Sequence, residues 1–344
     1  MTAETTTASP TSARVPPQRD HFRELVVTEL RDAITRLPES VRDCVSYHFG
    51  WQNEAGEPIS APSGKAIRPL LVGSCARAVG GRETAALQAA VAVELAHNFT
   101  LLHDDVMDRD STRRHRPTVW TVFGDSAAIL AGDALLMLAT EILAAESSAA
   151  VPKLSTALLR LCDGQARDVA FEGRETVSVA ECFAMAECKT AALLNCACEL
   201  GALVGGGTTE QVRLLGSFGT QLGIAFQLVD DLLGIWGSPE RTGKPVYSDL
   251  ATRKKSLPVA AAMNADNAAA REFTELYARP TALSTAQLST AAELVERAGG
   301  RAWALEQIAQ RHRAALDYLA AANPEPRAAQ DLHRLAELIT ARDH

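Results

Sequence analysis

The chain has 344 residues, 47% of them hydrophobic and 5% aromatic, and a formal net charge of −8. That length can bury one large core or two ordinary ones, and the acidic balance excludes a general nucleic-acid surface, so any basic site must be local. The seven cysteines show no zinc or secreted-disulfide spacing, so buried thiols such as Cys196 and Cys198 in a reducing cytoplasm are expected.

Residues 1–19 are rich in Thr, Ala, Ser and Pro and read as a disordered tail, not a secretory signal, with partner docking as one use for it. From Asp20 to Tyr47 the spacing of Phe22, Leu25, Val26, Leu30, Ile34 and Leu37 predicts helix. Residues 50–64 hold three glycines (Gly50, Gly56, Gly64) and two prolines (Pro58, Pro62), which is loop chemistry. Helices are then predicted over 66–79, 83–104, 118–123, 126–146, 151–172, 178–204, 208–236, 255–264, 266–278, 286–298, 301–321 and 327–341. There is no strand alternation and no repeat of fixed period, so a single all-α domain over 20–344 is the expectation. The most apolar window, Ala127 to Ala145, contains Asp133 and Glu141, so no integral membrane segment is expected.

Two of these helices end in paired carboxylates. The segment from Glu94 reads as one helix running into Asp104, Asp105 and Asp108. Asp104 and Asp108 are four apart and share a face, where like charges destabilise a bare helix by roughly 0.2–0.5 kcal/mol. A hard dication would compensate, and hard dications suit phosphate oxygens. A solvated acidic helix end is the plain alternative, although acid at a helix C-terminus opposes the macrodipole. Four arginines follow within eight residues: Arg109, Arg113, Arg114 and Arg116. Acid for metal beside forked donors for phosphate describes a diphosphate site, and a surface ion-pair network is its rival. Phe226 to Gly237 repeats the form, with Asp230-Asp231 and then Lys244 and Arg253-Lys254-Lys255. Position 234, where a third carboxylate would match the first cluster, is glycine. Facing helices of a bundle can place two such clusters around one polyphosphate.

With these motifs the chain resembles the trans-polyprenyl diphosphate synthases over nearly all of residues 21–320. Asp104-Asp-Val-Met-Asp108 followed by Arg113-Arg114 is similar to the family's first aspartate-rich motif, and Phe226-Gln-x-x-Asp230-Asp231 to the start of the second. Ser63-Gly-Lys65-Ala-Ile-Arg68-Pro69 resembles its Gly-Gly-Lys-Arg-x-Arg-Pro element, with Ser63 and Ala66 as departures. Gln165-x-x-Asp168, Lys189-Thr190 and Asp249 to Pro258 stand where further elements fall, and His115 replaces a usual glycine.

The resemblance implies an isoprenoid synthase bundle of helices around a central apolar cavity, working as a homodimer. It implies three magnesium ions, with Asp104, Asp105, Asp108, Asp230 and Asp231 as the metal residues and direct ligation resting on Asp104, Asp108 and Asp230. Arg113, Lys189 and Lys244 would hold the diphosphate of an allylic substrate (dimethylallyl, geranyl or farnesyl), with Thr190 beside them. Lys254 matches a position near the leaving group and Gln227 one near the reacting carbons. Lys65, Arg68, His97 and Arg114 would form a metal-free site for isopentenyl diphosphate. Taken singly, each has an ordinary rival: a surface charge at a helix start, a satisfied core histidine, a snorkelling lysine.

Product length in the resembling family depends on the residues four and five before the first aspartate, here Thr100 and Phe99. A ring at Phe99 with small Thr100 and Ala96, and no insertion in the first motif, points to geranylgeranyl diphosphate; farnesyl or longer products are the alternative, and Phe99 as plain core packing is the rival reading. A class I terpene cyclase shares the fold and first motif but needs no second diphosphate site. A non-catalytic subunit would fit the loss of acid at Gly234.

Overall fold

Phe22, Val26, Leu30 and Ile34 recur at helical spacing and are all buried on one face of α1 (Pro17–Ile34). The computed structural model describes residues 17–61, 64, 66–239, 245–279 and 281–340, with side chains from 21 onward. Helix α1 starts inside the segment read as a tail; the rest of that segment, and the docking suggested for it, lies outside the described residues. The single helix expected to Tyr47 is broken. Pro38 carries no N–H and disfavours helical backbone at Leu37, so the chain turns at 35–38 before α2 (Glu39–His48).

The order continues with α3 (Ile67–Ala78), a 3-10 turn (Glu83–Ala86), α4 (Leu87–Met107), α5 (Val119–Phe123), α6 (Asp125–Glu146), α7 (Val151–Glu172) and α8 (Val179–Ala186). A π-helical turn (Glu187–Ala191) leads to α9 (Ala192–Val204), α10 (Thr209–Trp236), α11 (Ser248–Ala251) and α12 (Leu257–Met263). Helices α13 (Ala268–Tyr277), α14 (Thr285–Arg297), α15 (Gly300–Ala321) and α16 (Pro326–Thr340) complete the fold, which is all-α as the composition predicts.

Helix α4 is central. Ala89 through Val93, Leu95 and Ala96 are fully buried, because small residues all round let α3, α6 and α9 approach. Helix α10 lies against α9 and α15. Three apolar clusters result: a large one around α4, a second joining α8, α10, α12 and α15, and a third under α11 to α14. Cys196 and Cys198 are buried free thiols in this packing. Two stretches, Glu83–Met107 and α6, have the length and apolar content of a membrane span despite Asp133 and Glu141. In the first, 67% of the most apolar window is buried within the fold, and in the second 44%.

One feature had no sequence signal. Thr112–Arg113 (β1) and Arg116–Pro117 (β2) form an antiparallel hairpin whose turn residues, Arg114 and His115, have φ of +52° and +62°. Two left-handed residues are the mark of a tight hairpin turn, which glycine enters at no steric cost. That accounts for His115 as a departure: it occupies the backbone conformation that favours glycine.

Candidate active site

The four arginines after α4 do not act as one patch. Arg113 is forked onto Asp105: Nε donates to Oδ1 and Oδ2 at 2.8 and 3.0 Å, and its terminal nitrogen lies 2.7 Å from Oδ1. Asp105 is only 2% exposed, so this pair clamps the hairpin to the helix. Arg109 donates to Asp125 at 2.9 Å, and Arg116 donates to the carbonyls of Tyr47 and Gln52 at 2.8 and 3.2 Å. Arg114, on the turn, borders a small cleft shared with His48, Phe49 and Gly50, whose lining includes none of the aspartates.

Asp104 and Asp108 take the other face of α4. Burial, with Asp108 and Asp105 close by and Lys189 opposing, pushes the Asp104 carboxyl up to about 6. Partial enclosure also raises Asp108, again against Lys189. Lys189 stands on the π-helical turn and donates to Asp168 of α7 at 2.6 Å. Two glycines let that turn sit so deep. A Cβ on Gly164 would lie 2.2 Å from the Lys189 nitrogen, and one on Gly223 would lie 2.4 Å from the Ala191 Cα. Burial opposes charge on Asp168, but Lys189 and Lys254 outweigh it and hold the carboxyl below its ordinary value. Lys254 is itself raised despite its burial, because Asp249, Asp168, Asp231 and Asp108 surround it.

At the end of α10, Asp231 is 2% exposed and accepts from Gln227 Nε2 at 2.8 Å and from the Leu257 N–H at 2.9 Å. The Thr190 hydroxyl donates to Gln227 Oε1 at 2.5 Å. Gln227 thus ties the π-helical turn to Asp231 and α12. Burial, with Lys254 opposing, raises Asp231 to about 7. Asp230 is partly exposed on the neighbouring position. The gap at Gly234 is filled from elsewhere: a Cβ there would lie 2.3 Å from Oδ2 of Asp249, and Ser248 Oγ donates to the Gly234 carbonyl at 3.3 Å. Helix α11 therefore lays a carboxylate against the bare backbone of α10.

The second basic group is separate. Arg68, in the first turn of α3, donates to His97 Nε2 at 3.1 Å, which leaves the His97 proton on Nδ1. Burial first, then Arg68 and Arg114, holds His97 well below its ordinary value, so it is neutral. Phe99 is 8% exposed and meets His103 edge-on at 4.8 Å, while the Thr100 hydroxyl donates to the His97 carbonyl at 2.7 Å.

The fold therefore assembles Asp104, Asp108, Lys189 and Lys254 into one charged group and Arg68, His97 and Arg114 into another. It turns Asp105, Asp231, Thr190 and Gln227 to protein partners, and Arg113 to Asp105. Lys65 and Lys244 lie outside the described residues. Asp168 and Asp249 belong to the site without having been given a role from the sequence; the Gln165-x-x-Asp168 element and the segment opening at Asp249 were the available signals.

Among the described residues no three ligating side chains form a ready-made metal cage. The donors are carboxylate oxygens only, crowded enough to resist full ionisation at Asp104. Magnesium fits that set, since it keeps several waters and takes one or two carboxylates with substrate phosphates instead of an all-protein cage.

Comparison with known proteins agrees. A model of the family described as "Polyprenyl synthetase" matches residues 50–295. The chain is 45% identical to a (2E,6E)-farnesyl diphosphate synthase of Mycobacterium tuberculosis, covering 95% of this chain and 97% of the relative. It is 44% identical to a geranylgeranyl diphosphate synthase of the same organism, covering 91% and 90%. Among solved structures it superposes on a polyprenyl synthetase from Streptomyces coelicolor A3(2) with a TM-score of 0.89, at 42% identity, covering 93% of this chain and 98% of the other. The chain belongs to the polyprenyl synthetase family and is a prenyl diphosphate synthase, a prenyltransferase.

Proposed function

We propose that the enzyme condenses an allylic diphosphate with isopentenyl diphosphate to give geranylgeranyl diphosphate, using three magnesium ions held by Asp104, Asp108 and Asp230. The observation that supports this reading is two differently built charged groups: one of carboxylates with Lys189 and Lys254, and one, at Arg68, His97 and Arg114, cationic in itself. Bound metal would supply Lewis-acid neutralisation of the leaving diphosphate. Lys189 and Lys254 add positive charge on the same side; Asp168 pairs with Lys189 at 2.6 Å and, with Asp249, favours the protonated form of Lys254. Asp105 and Asp231 act by position: one holds Arg113, the other holds Gln227 and the start of α12. Lys65 and Lys244 complete the two basic sets in this reading, and Phe99 limits chain growth beside Thr100 and Ala96.

A homodimer is part of the proposal. Ile129, Leu130 and Met137 stand 42, 56 and 64% exposed on α6, an apolar surface suited to a second copy. Cytoplasmic placement rests on the cysteine usage. A second reading, farnesyl diphosphate as product, is favoured by the name of the 45% identical relative.

The test is turnover of the purified protein with magnesium, labelled isopentenyl diphosphate and each allylic starter, followed by product sizing. A twenty-carbon diphosphate is expected, and Phe99→Ala lengthens it. A fifteen-carbon product selects the farnesyl reading, and an unchanged product from Phe99→Ala removes that ring from the limit. Hydrocarbon formed without isopentenyl diphosphate would mean a cyclase, and turnover only with a partner chain would mean a regulatory subunit.

A further inference from the structure

Behind Arg68, His97 and Arg114 lies a line of buried and half-buried polar groups, separate from the carboxylates Asp104 and Asp108 and from those of α10. His48, at the end of α2, contacts Asn98 Oδ1 through Nε2 at 3.0 Å. An amide oxygen accepts, so His48 Nε2 carries the proton and donates. Asn98 is 1% exposed, and its Nδ2 donates to the Glu94 backbone carbonyl at 2.8 Å and to Glu94 Oε1 at 3.2 Å. Both Nδ2 partners are acceptors, so the His48 contact and the Glu94 contacts fix the same amide orientation. Glu94 faces the guanidiniums of Arg68, Arg114 and Arg23. Arg23 in turn donates to the Gly64 carbonyl at 3.2 Å, and a Cβ on Gly64 would lie 3.0 Å from Arg114. The line thus runs from α2 through α4 to the start of α3 and the hairpin turn.

Two guanidiniums beside a neutral histidine repel one another and lose hydration when enclosed; for Arg114 burial and Arg113 both oppose charge, and Glu94 favours it. A carboxylate held at a fixed place between them sets where each can rest. An anion receptor gains affinity when its donors are pre-arranged, because less side-chain freedom is lost on binding. Arg and His supply the receptor; Glu94, Asn98 and His48 supply the arrangement.

We propose that His48, Asn98 and Glu94 are positioning residues that set Arg68, His97 and Arg114 for the diphosphate of the second, non-ionising substrate. The inference rests on the function proposed above only for the identity of that substrate.

The experiment measures binding of isopentenyl diphosphate to the intact protein by calorimetry without metal ions, and steady-state kinetics with them. His48→Leu removes the donor; His48→Gln restores an N–H at nearly the same reach; Asn98→Leu breaks the line at its centre. His48→Leu and Asn98→Leu are expected to weaken isopentenyl diphosphate binding about tenfold and to raise its KM in step. The KM of the allylic diphosphate should shift by less than about twofold and kcat by less than about threefold. His48→Gln should recover binding to within about twofold. Should Asn98→Leu fail to fold, the two His48 variants carry the test. Equal weakness of His48→Gln and His48→Leu, or parallel rises in both KM values, would overturn the proposal in favour of plain packing. If the unaltered protein binds isopentenyl diphosphate but forms no product from it, the proposed reaction falls while the positioning pattern is still read by calorimetry.

Discussion

The C-terminal ends of α4 and α10 carry the same pair of aspartates, yet they are built differently. At α4 the helix itself sorts the carboxylates. Asp104 and Asp108 share a face by spacing, and Asp105, one position round, falls to Arg113 only eight residues on. At α10 the sorting comes from distant chain. Asp231 is committed by Leu257, and the bare backbone at Gly234 is covered by Asp249, from a helix fifteen residues downstream. One acidic end is made by local geometry and the other by tertiary contact. The same sequence motif therefore does not imply the same division of work.

The largest expected effect separates ligand from support. Asp104→Asn should cost about a thousandfold in kcat while leaving the melting temperature the same or higher, because a crowded charge is removed. Asp231→Ala strands the Leu257 N–H and the Gln227 amide and should cost about 3 kcal/mol of stability, read by denaturant titration. If Asp104→Asn destabilised as much as Asp231→Ala, the distinction between the two roles would fail.

A smaller effect tests the cover at position 234. Gly234→Ala pushes its methyl into the Asp249 carboxylate and should cost about 1–2 kcal/mol. The cost should shrink in an Asp249→Ala background, with a coupling of about 1 kcal/mol in the double-mutant cycle. An additive cycle would show that the two positions do not share space in solution.

The smallest expected effect lies on the hairpin that the α4 end holds. His115→Gly relieves a left-handed residue at φ +62° and should raise stability by about 1 kcal/mol in thermal unfolding. A loss instead would mean that the His115 side chain contributes more than its backbone costs.

Helix existence was legible because apolar residues recur with helical spacing over long stretches, as in Phe22 to Ile34 and through α4. The break at Pro38 was legible in principle, since proline acts on its own backbone, yet the apolar spacing ran across it. The π-helical turn at Lys189 was not legible. It depends on α7 and α10 pressing close at Gly164 and Gly223, and those glycines lie 25 residues before and 34 residues after it. The buried partners of Asp105 and Asp231 were not legible either, because motif spacing reports the presence of a carboxylate but not its partner. His48, far from every motif, carries no local signal.

By itself the sequence determined the all-helical scaffold, the two acidic helix ends, the arginine-rich segment and the membership of a family, because periodicity and residue chemistry are properties of short windows. Only the tertiary structure decided which buried partners Asp105 and Asp231 meet, which arginines are already paired, what covers Gly234 and how Lys189 reaches Asp168. Each of those depends on which buried group a side chain meets. A buried charge must find its partner wherever packing puts one, and sequence distance does not limit that search.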